Sequence, residues 1–147
     1  MKTDDRIFFE TDNSCAYCGI KGRINLTRHH IDGNRKNNKY ENLIVFCHNC
    51  HHQITKEEAD SRQKIKKIKR LLIYKTLTPW GINAIKMAYR SNGEVVGPEF
   101  LLSHLVDMGY LEKTGYAFKG GIKDETEILS KFKITLEGHA LYNNWLK

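Results

Sequence analysis

The sequence predicts an α+β fold in two parts, a small metal-stapled ββα unit followed by a mainly helical domain. Three observations predict it. Four cysteines stand as two C-x-x-C pairs, Cys15/Cys18 and Cys47/Cys50, with 28 residues between the pairs. Within that interval one stretch alternates and another runs apolar, as strands do. Beyond it, apolar residues recur at three- and four-residue steps, as on helices. The chain of 147 residues suits one ordinary domain or two very small ones.

Residues 1–14 are polar apart from Ile7, Phe8 and Phe9, and are expected to form a short leader packed loosely on the domain behind it. Arg23 to His29 alternates, Ile24, Leu26 and Arg28 against Asn25, Thr27 and His29, which predicts a half-buried strand. Asp32 to Asn38 is then a loop, and Leu43 to Phe46 the returning strand of a hairpin. From Asn49 to Tyr74 the pattern is helical, with Ile65, Ile68, Leu71 and Leu72 on one face and a break expected near Thr55.

Thr76, Thr78 and Pro79 mark a junction, since threonine can cap a helix and proline is tolerated at its first turn. A further helix should run to Arg90 and stop at Ser91-Asn92-Gly93. Val95 to Gly97 is extended, and Pro98 opens a helix that buries Leu101, Leu102, Leu105 and Val106 and is capped by Gly109. Tyr110–Phe118 and Ser130–Thr135 are expected as strands around a Gly-rich, acidic turn, with a closing helix over Leu136–Leu146.

The formal net charge is +7, and its placement matters more than its size. Sixteen of the 24 Lys and Arg but only nine of the 17 Asp and Glu lie before Thr76, so the whole surplus falls in the first half. That half is suited to a polyanionic partner. No run approaches the length of apolar sequence a membrane span needs, and the start MKTDDRIFFE lacks the apolar core of a secretion signal, so a cytoplasmic protein without membrane partners is expected. In a reducing compartment paired cysteines point to metal rather than disulfides. Four thiolates suit a structural Zn2+ with no open position. The need is physical, because residues 1–55 hold too few apolar side chains to offset the entropy of ordering them.

Around these cysteines lie Arg28-His29-His30-Ile31, Glu41-Asn42-Leu43 and Cys47-His48-Asn49-Cys50-His51-His52. This arrangement over residues 14–55 resembles the HNH, or ββα-metal, nucleases, many of which frame the motif with two C-x-x-C pairs. The resemblance implies a zinc-stapled ββα-metal unit that hydrolyses DNA to 5′-phosphate and 3′-hydroxyl ends. It implies His30 as general base, His29 and His51 as ligands of one divalent catalytic metal, and Asn42 as the residue that holds the hairpin loop and so orients His30. The chemistry of the residues agrees: neutral imidazole can take a proton from water near neutral pH. Two imidazole ligands move the metal preference from Mg2+ toward Mn2+, Ni2+ or Zn2+. Helix neighbours diverge by about 100°, so only one of His51 and His52 can face that ion. The helix that starts near Cys50 is expected to add its positive N-terminal dipole toward the phosphate. A phage, mobile-element or restriction setting also follows from the resemblance alone.

Arg28, Arg35, Lys36 and Lys39 on the hairpin and loop, and Arg62, Lys66, Lys69 and Arg70 on the basic helix, are expected to contact the phosphates of double-stranded DNA. The expected organisation is an HNH unit over 1–55, a basic connecting helix over 56–75 and a second domain over 76–147. Phe100 to Lys113, followed by FKITLEGHALY, resembles a winged helix. Its helix carries Glu99, Ser103, His104 and Asp107 rather than the basic or amide side chains of a groove reader, so a homodimer or protein partner suits it as well as DNA. Two rival functions are a zinc-containing DNA-binding or regulatory protein whose HNH unit does not cut, and an interaction protein working through its second domain. The intact set His29, His30, Asn42 and His51 argues against the first rival.

Overall fold

The computed structural model describes residues 2–56, 58–120 and 126–147, and the chain divides into two units, Met1–Thr76 and Leu77–Lys147. Both mix helix and strand.

In the first unit the expected loose leader is a packed helix, α1 (Thr3–Glu10). Asp4 and Asp5 favour its positive N-terminus, and Ile7 and Phe8 are buried. One isoleucine and one phenylalanine, with Phe9 exposed, are a sparse anchor for a helix. The deciding contribution is Glu10, 3% exposed although its charge suggests a surface position. Its carboxylate takes a 2.8 Å ion pair from Lys69 and a short hydrogen bond from the Tyr40 hydroxyl, while Lys75 Nζ donates to its carbonyl oxygen at 3.2 Å.

β1 (Leu26–His30) and β2 (Leu43–Cys47) pair antiparallel, with His29 opposite Ile44 and His30 opposite Leu43. The strand starts three residues later than the alternation suggests. Arg23–Asn25 forms a 3-10 turn, and Ile24, which the period puts on the core side, is 89% exposed. All five residues of β2 are buried, because α1 and α2 (His48–Lys56) both contact this strand.

α3 (Glu58–Arg90) follows. Its apolar face is not the one that the run Ile65, Ile68, Leu71 and Leu72 predicts: Leu71 is 72% exposed, and the fully buried line is Ile65, Lys69 and Ile73 at four-residue steps. Burial pushes the Lys69 ammonium below the usual lysine range, against the pull of Glu10. The helix breaks at Thr78 (φ 60°, ψ 159°), as the residue before Pro79 is barred from the helical region. Thr78 Oγ1 then accepts from the Gly81 amide at 3.4 Å, opening the part of the helix that lies in the second unit.

In that second unit Asn92 and Gly93 take positive φ and end α3, β3 (Glu94–Gly97) leads to α4 (Glu99–Asp107), and Gly109 (φ 77°) ends that helix. β4 (Leu111–Gly120) and β5 (Thr126–Ile134) complete a three-stranded antiparallel sheet in the order β3-β5-β4. β5 begins four residues earlier than expected, and the Gly-rich turn over 121–125 lies outside the described residues. α5 (Leu136–Leu141), capped by Thr135, passes into a π-helical turn, Tyr142–Leu146. Leu105, Leu111, Phe132 and Leu141 form the core of this unit. No helix among the described residues is long and apolar enough to cross a membrane.

Candidate functional site

The first C-x-x-C pair is a tight turn in which Gly19 N donates to Cys15 O at 2.9 Å and Cys15 N to Ile20 O at 2.8 Å. Ala16 N bonds Val45 O at 2.9 Å and so docks this turn on β2, which delivers Cys47. The four Sγ atoms lie within 4.8 Å of one another, with Cys18 and Cys47 at 3.7 Å. A tetrahedral zinc ion with Zn–S bonds of about 2.3 Å needs sulfurs about 3.8 Å apart, so the cluster fits a structural zinc. Burial pushes the Cys15 thiol up, but amide hydrogen bonds at Cys18, Cys47 and Tyr17 outweigh it and hold it at about 7, which favours the thiolate a metal needs. The Cys50 amide donates to Cys47 Sγ at 3.4 Å. In the first turn of α2 that amide therefore serves the cysteine cluster.

Beside the cluster, β1 and α2 border a cavity of about 660 Å3. His29, His30 and His51 all line it, together with Arg28, Arg35, Asn38 and Arg62. The His29 and His51 rings stand edge to face with centroids 5.0 Å apart, and Phe46 packs on His29 at 5.6 Å. Two imidazoles donating to one cation at about 2.1 Å would place their centroids about 5 Å apart, so this pair fits a shared divalent ion. Burial, helped by the charges of His51 and His30, pushes His29 down to about 4. Burial, then His48, Arg35 and His52, push His51 below its ordinary value. Both rings are therefore neutral near pH 7 and offer lone pairs. His48 and His52 are exposed on the other sides of α2.

The segment between the strands is held by its own amides. Asn42 Nδ2 donates to Asp32 Oδ1 and to the Asn37 carbonyl, both at 2.9 Å, while its Oδ1 accepts from the Asp32 amide at 3.0 Å. Asn37 Nδ2 closes the ring on Asp32 Oδ2 at 2.7 Å, and the Asn34 amide reaches Asp32 Oδ1 at 2.8 Å. Burial raises the Asp32 carboxyl, but these hydrogen bonds together outweigh it and hold the group below the usual range. At the edge of the loop His30 Nε2 and Asn38 Oδ1 are 3.1 Å apart.

Two antiparallel strands, a helix, a four-cysteine cluster and three histidines on one cavity now stand together. Residues 15–57 match the family model for HNH endonuclease. Neither the curated proteins nor the solved structures gave a match to the chain. The matched segment begins at Cys15 and covers both strands and α2, and with them the cysteine cluster and all three cavity histidines.

The basic side chains divide around this matched segment. Arg28, Arg35 and Arg62 line the cavity, Arg28 with a 2.8 Å ion pair to Asp4. Lys36, Lys39, Lys66 and Arg70 are exposed, with Arg70 over the Tyr74 ring at 5.9 Å. Lys69 must be removed from the expected phosphate contacts. It is wholly buried against Glu10 and Tyr40, because the packed stripe of α3 passes through position 69. Sequence reading missed Asn38, Asp32 and Asn37 because a polar loop carries no period. The available signal was the run of Asp and Asn between Asp32 and Asn38, the residues that hydrogen-bond local backbone.

Proposed function

We propose that the protein is a metal-dependent endonuclease that hydrolyses DNA phosphodiester bonds through its HNH unit, leaving 5′-phosphate and 3′-hydroxyl ends. The observation that carries this reading is the opening of His29, His30 and His51 into one cavity bordered by three arginines. His30 takes a proton from water as the oxygen attacks phosphorus, the P–O3′ bond breaks, and the leaving oxygen is protonated from solvent. His29 and His51 would hold a divalent ion, which when bound supplies charge neutralisation at the phosphate. With two imidazole ligands, Mn2+, Ni2+ or Zn2+ suit this position better than Mg2+. Asn42 holds the loop that follows His30. Arg35 and Arg62 hold phosphate oxygens in the cavity, and Lys36, Lys39, Lys66 and Arg70 follow the backbone of double-stranded DNA farther out.

The division of labour we assign is a nuclease unit over 1–55, a basic connector over 56–75 and an orienting or partner-binding domain over 76–147. The order of helix, short strand, helix and a pair of long strands supports the winged-helix reading of that last domain. Glu99 is taken up by Lys113 at 2.7 Å, and the helix carries no basic or amide groove-reading side chains, so a protein partner or a second copy suits this domain as well as DNA.

The test is a supercoiled plasmid with purified protein and Mg2+, Mn2+ or Ni2+. Metal-dependent nicking that His30→Ala lowers by roughly 10²-fold or more, with zinc content and folding unchanged, is expected. DNA binding without nicking in every metal would instead leave a binding protein with a zinc-stapled HNH unit.

A further inference from the structure

His30 ends β1, where its backbone pairs with Leu43, and its side chain leaves the hairpin toward the cavity. An imidazole at a strand end turns freely about two torsions unless something holds it, and a base must present one particular nitrogen. The Asn38 amide oxygen stands 3.1 Å from Nε2. An amide oxygen only accepts, so the contact forms when Nε2 carries the proton and Nδ1 keeps the lone pair. The segment that leads into Asn38 is held at Asn37. The Asn37 carbonyl accepts from Asn42, and the Asn37 side chain donates to Asp32. The side chain of Asn42 bonds Asp32 and Asn37, one step short of the ring.

We propose that Asn38 is a positioning residue that fixes the ring plane and tautomer of His30. The catalytic consequence rests on the reading of His30 as the base. Asn38 touches no reacting atom. Its loss should leave binding intact and lower the fraction of molecules with a lone pair correctly aimed.

The experiment uses full-length, zinc-loaded protein labelled with 15N at histidine, in the absence of a second metal. Long-range 1H–15N spectra report the tautomer and whether the ring N–H is shielded from exchange with water. In the wild type His30 should appear as the Nε2–H form with an observable ring proton. Asn38→Ala should lose that proton signal to exchange, whereas Asn38→Asp, which keeps an acceptor in place, should retain it. Because Asn38 is an exposed loop residue, both variants should fold and keep their zinc. In the nicking assay Asn38→Ala should lower kcat roughly tenfold with KM unchanged, and Asn38→Asp should recover much of the loss. A wild-type Nδ1–H form, an unchanged ring signal in Asn38→Ala, or a raised KM at constant kcat would each overturn the proposal. Wild-type protein that cuts nothing in any metal refutes the nuclease reading alone, and the spectra still decide whether Asn38 sets the His30 ring.

Discussion

At the scale of single residues, the titration of His29 gives the clearest pH prediction. Burial holds its folded value at about 4 against an ordinary 6.5. Between those values the unfolded chain binds the extra proton and the folded chain does not, so stability rises with pH across that window. The contribution is complete above 6.5 and is lost as the pH falls through about 4. Urea denaturation without added divalent metal should show a midpoint that drops between about pH 7 and pH 5, and His29→Gln should flatten that drop relative to wild type. An identical pH dependence in the variant would remove the burial argument. The pair Glu10–Lys69 yields a second prediction. Glu10→Gln leaves a buried ammonium without its counter-charge, and breaking such a pair costs about 3–5 kcal/mol. The double variant Glu10→Gln/Lys69→Met should recover most of that loss, because it removes the unpaired charge while a side chain of similar size still fills the site. Position 69 is misread from sequence for a simple reason: a lysine among lysines looks solvated until its partner, 59 residues away, is known.

At the scale of elements, the interstrand loop and the α5 junction carry the predictions. Asn42→Ala removes the bonds from Asn42 to the Asp32 amide and to Asp32 Oδ1, leaving those from Asn34 and Asn37, and removes the tie to the Asn37 carbonyl. The expected cost is on the order of 1–3 kcal/mol, seen most directly as faster hydrogen exchange at the Asp32 amide, with β2 unaffected. In the second unit a Cβ on Gly138 would run into the Tyr110 carbonyl and come within 2.7 Å of Ile134 Cγ1. Gly138→Ala should therefore destabilise this unit by roughly 1–3 kcal/mol, measured by thermal unfolding, although alanine normally favours a helix. The hairpin, the break before Pro79 and α4 were legible because their signals are local: a period of two, a proline, a capping glycine. α1 was not, because its stability comes from the contacts of Glu10 with α3 and Tyr40.

At the scale of the whole molecule, the two units should respond differently to metal removal. Both tryptophans, Trp80 and Trp145, belong to the second unit, so their fluorescence reports on it alone. A strong zinc chelator should abolish much of the helical circular dichroism contributed by the first unit, since four thiolates are its staple, while tryptophan emission stays at its native wavelength. A parallel shift of both signals would show that the second core depends on the zinc. The charge surplus of the first half predicts salt-sensitive DNA binding. Replacing Arg35 and Arg62 with alanine should reduce the slope of log affinity against log salt by about 2, roughly one for each phosphate that no longer meets a cation.

The sequence by itself determined the four-cysteine cluster, the hairpin that carries it and the histidines around it, because ligand type, spacing and strand period are properties of short segments. Only the tertiary structure decided which cations face solvent and which amide reaches His30. Those outcomes depend on how α1, α3 and the interstrand loop come together, and a buried ion pair or an amide contact joins residues whose separation along the chain carries no pattern.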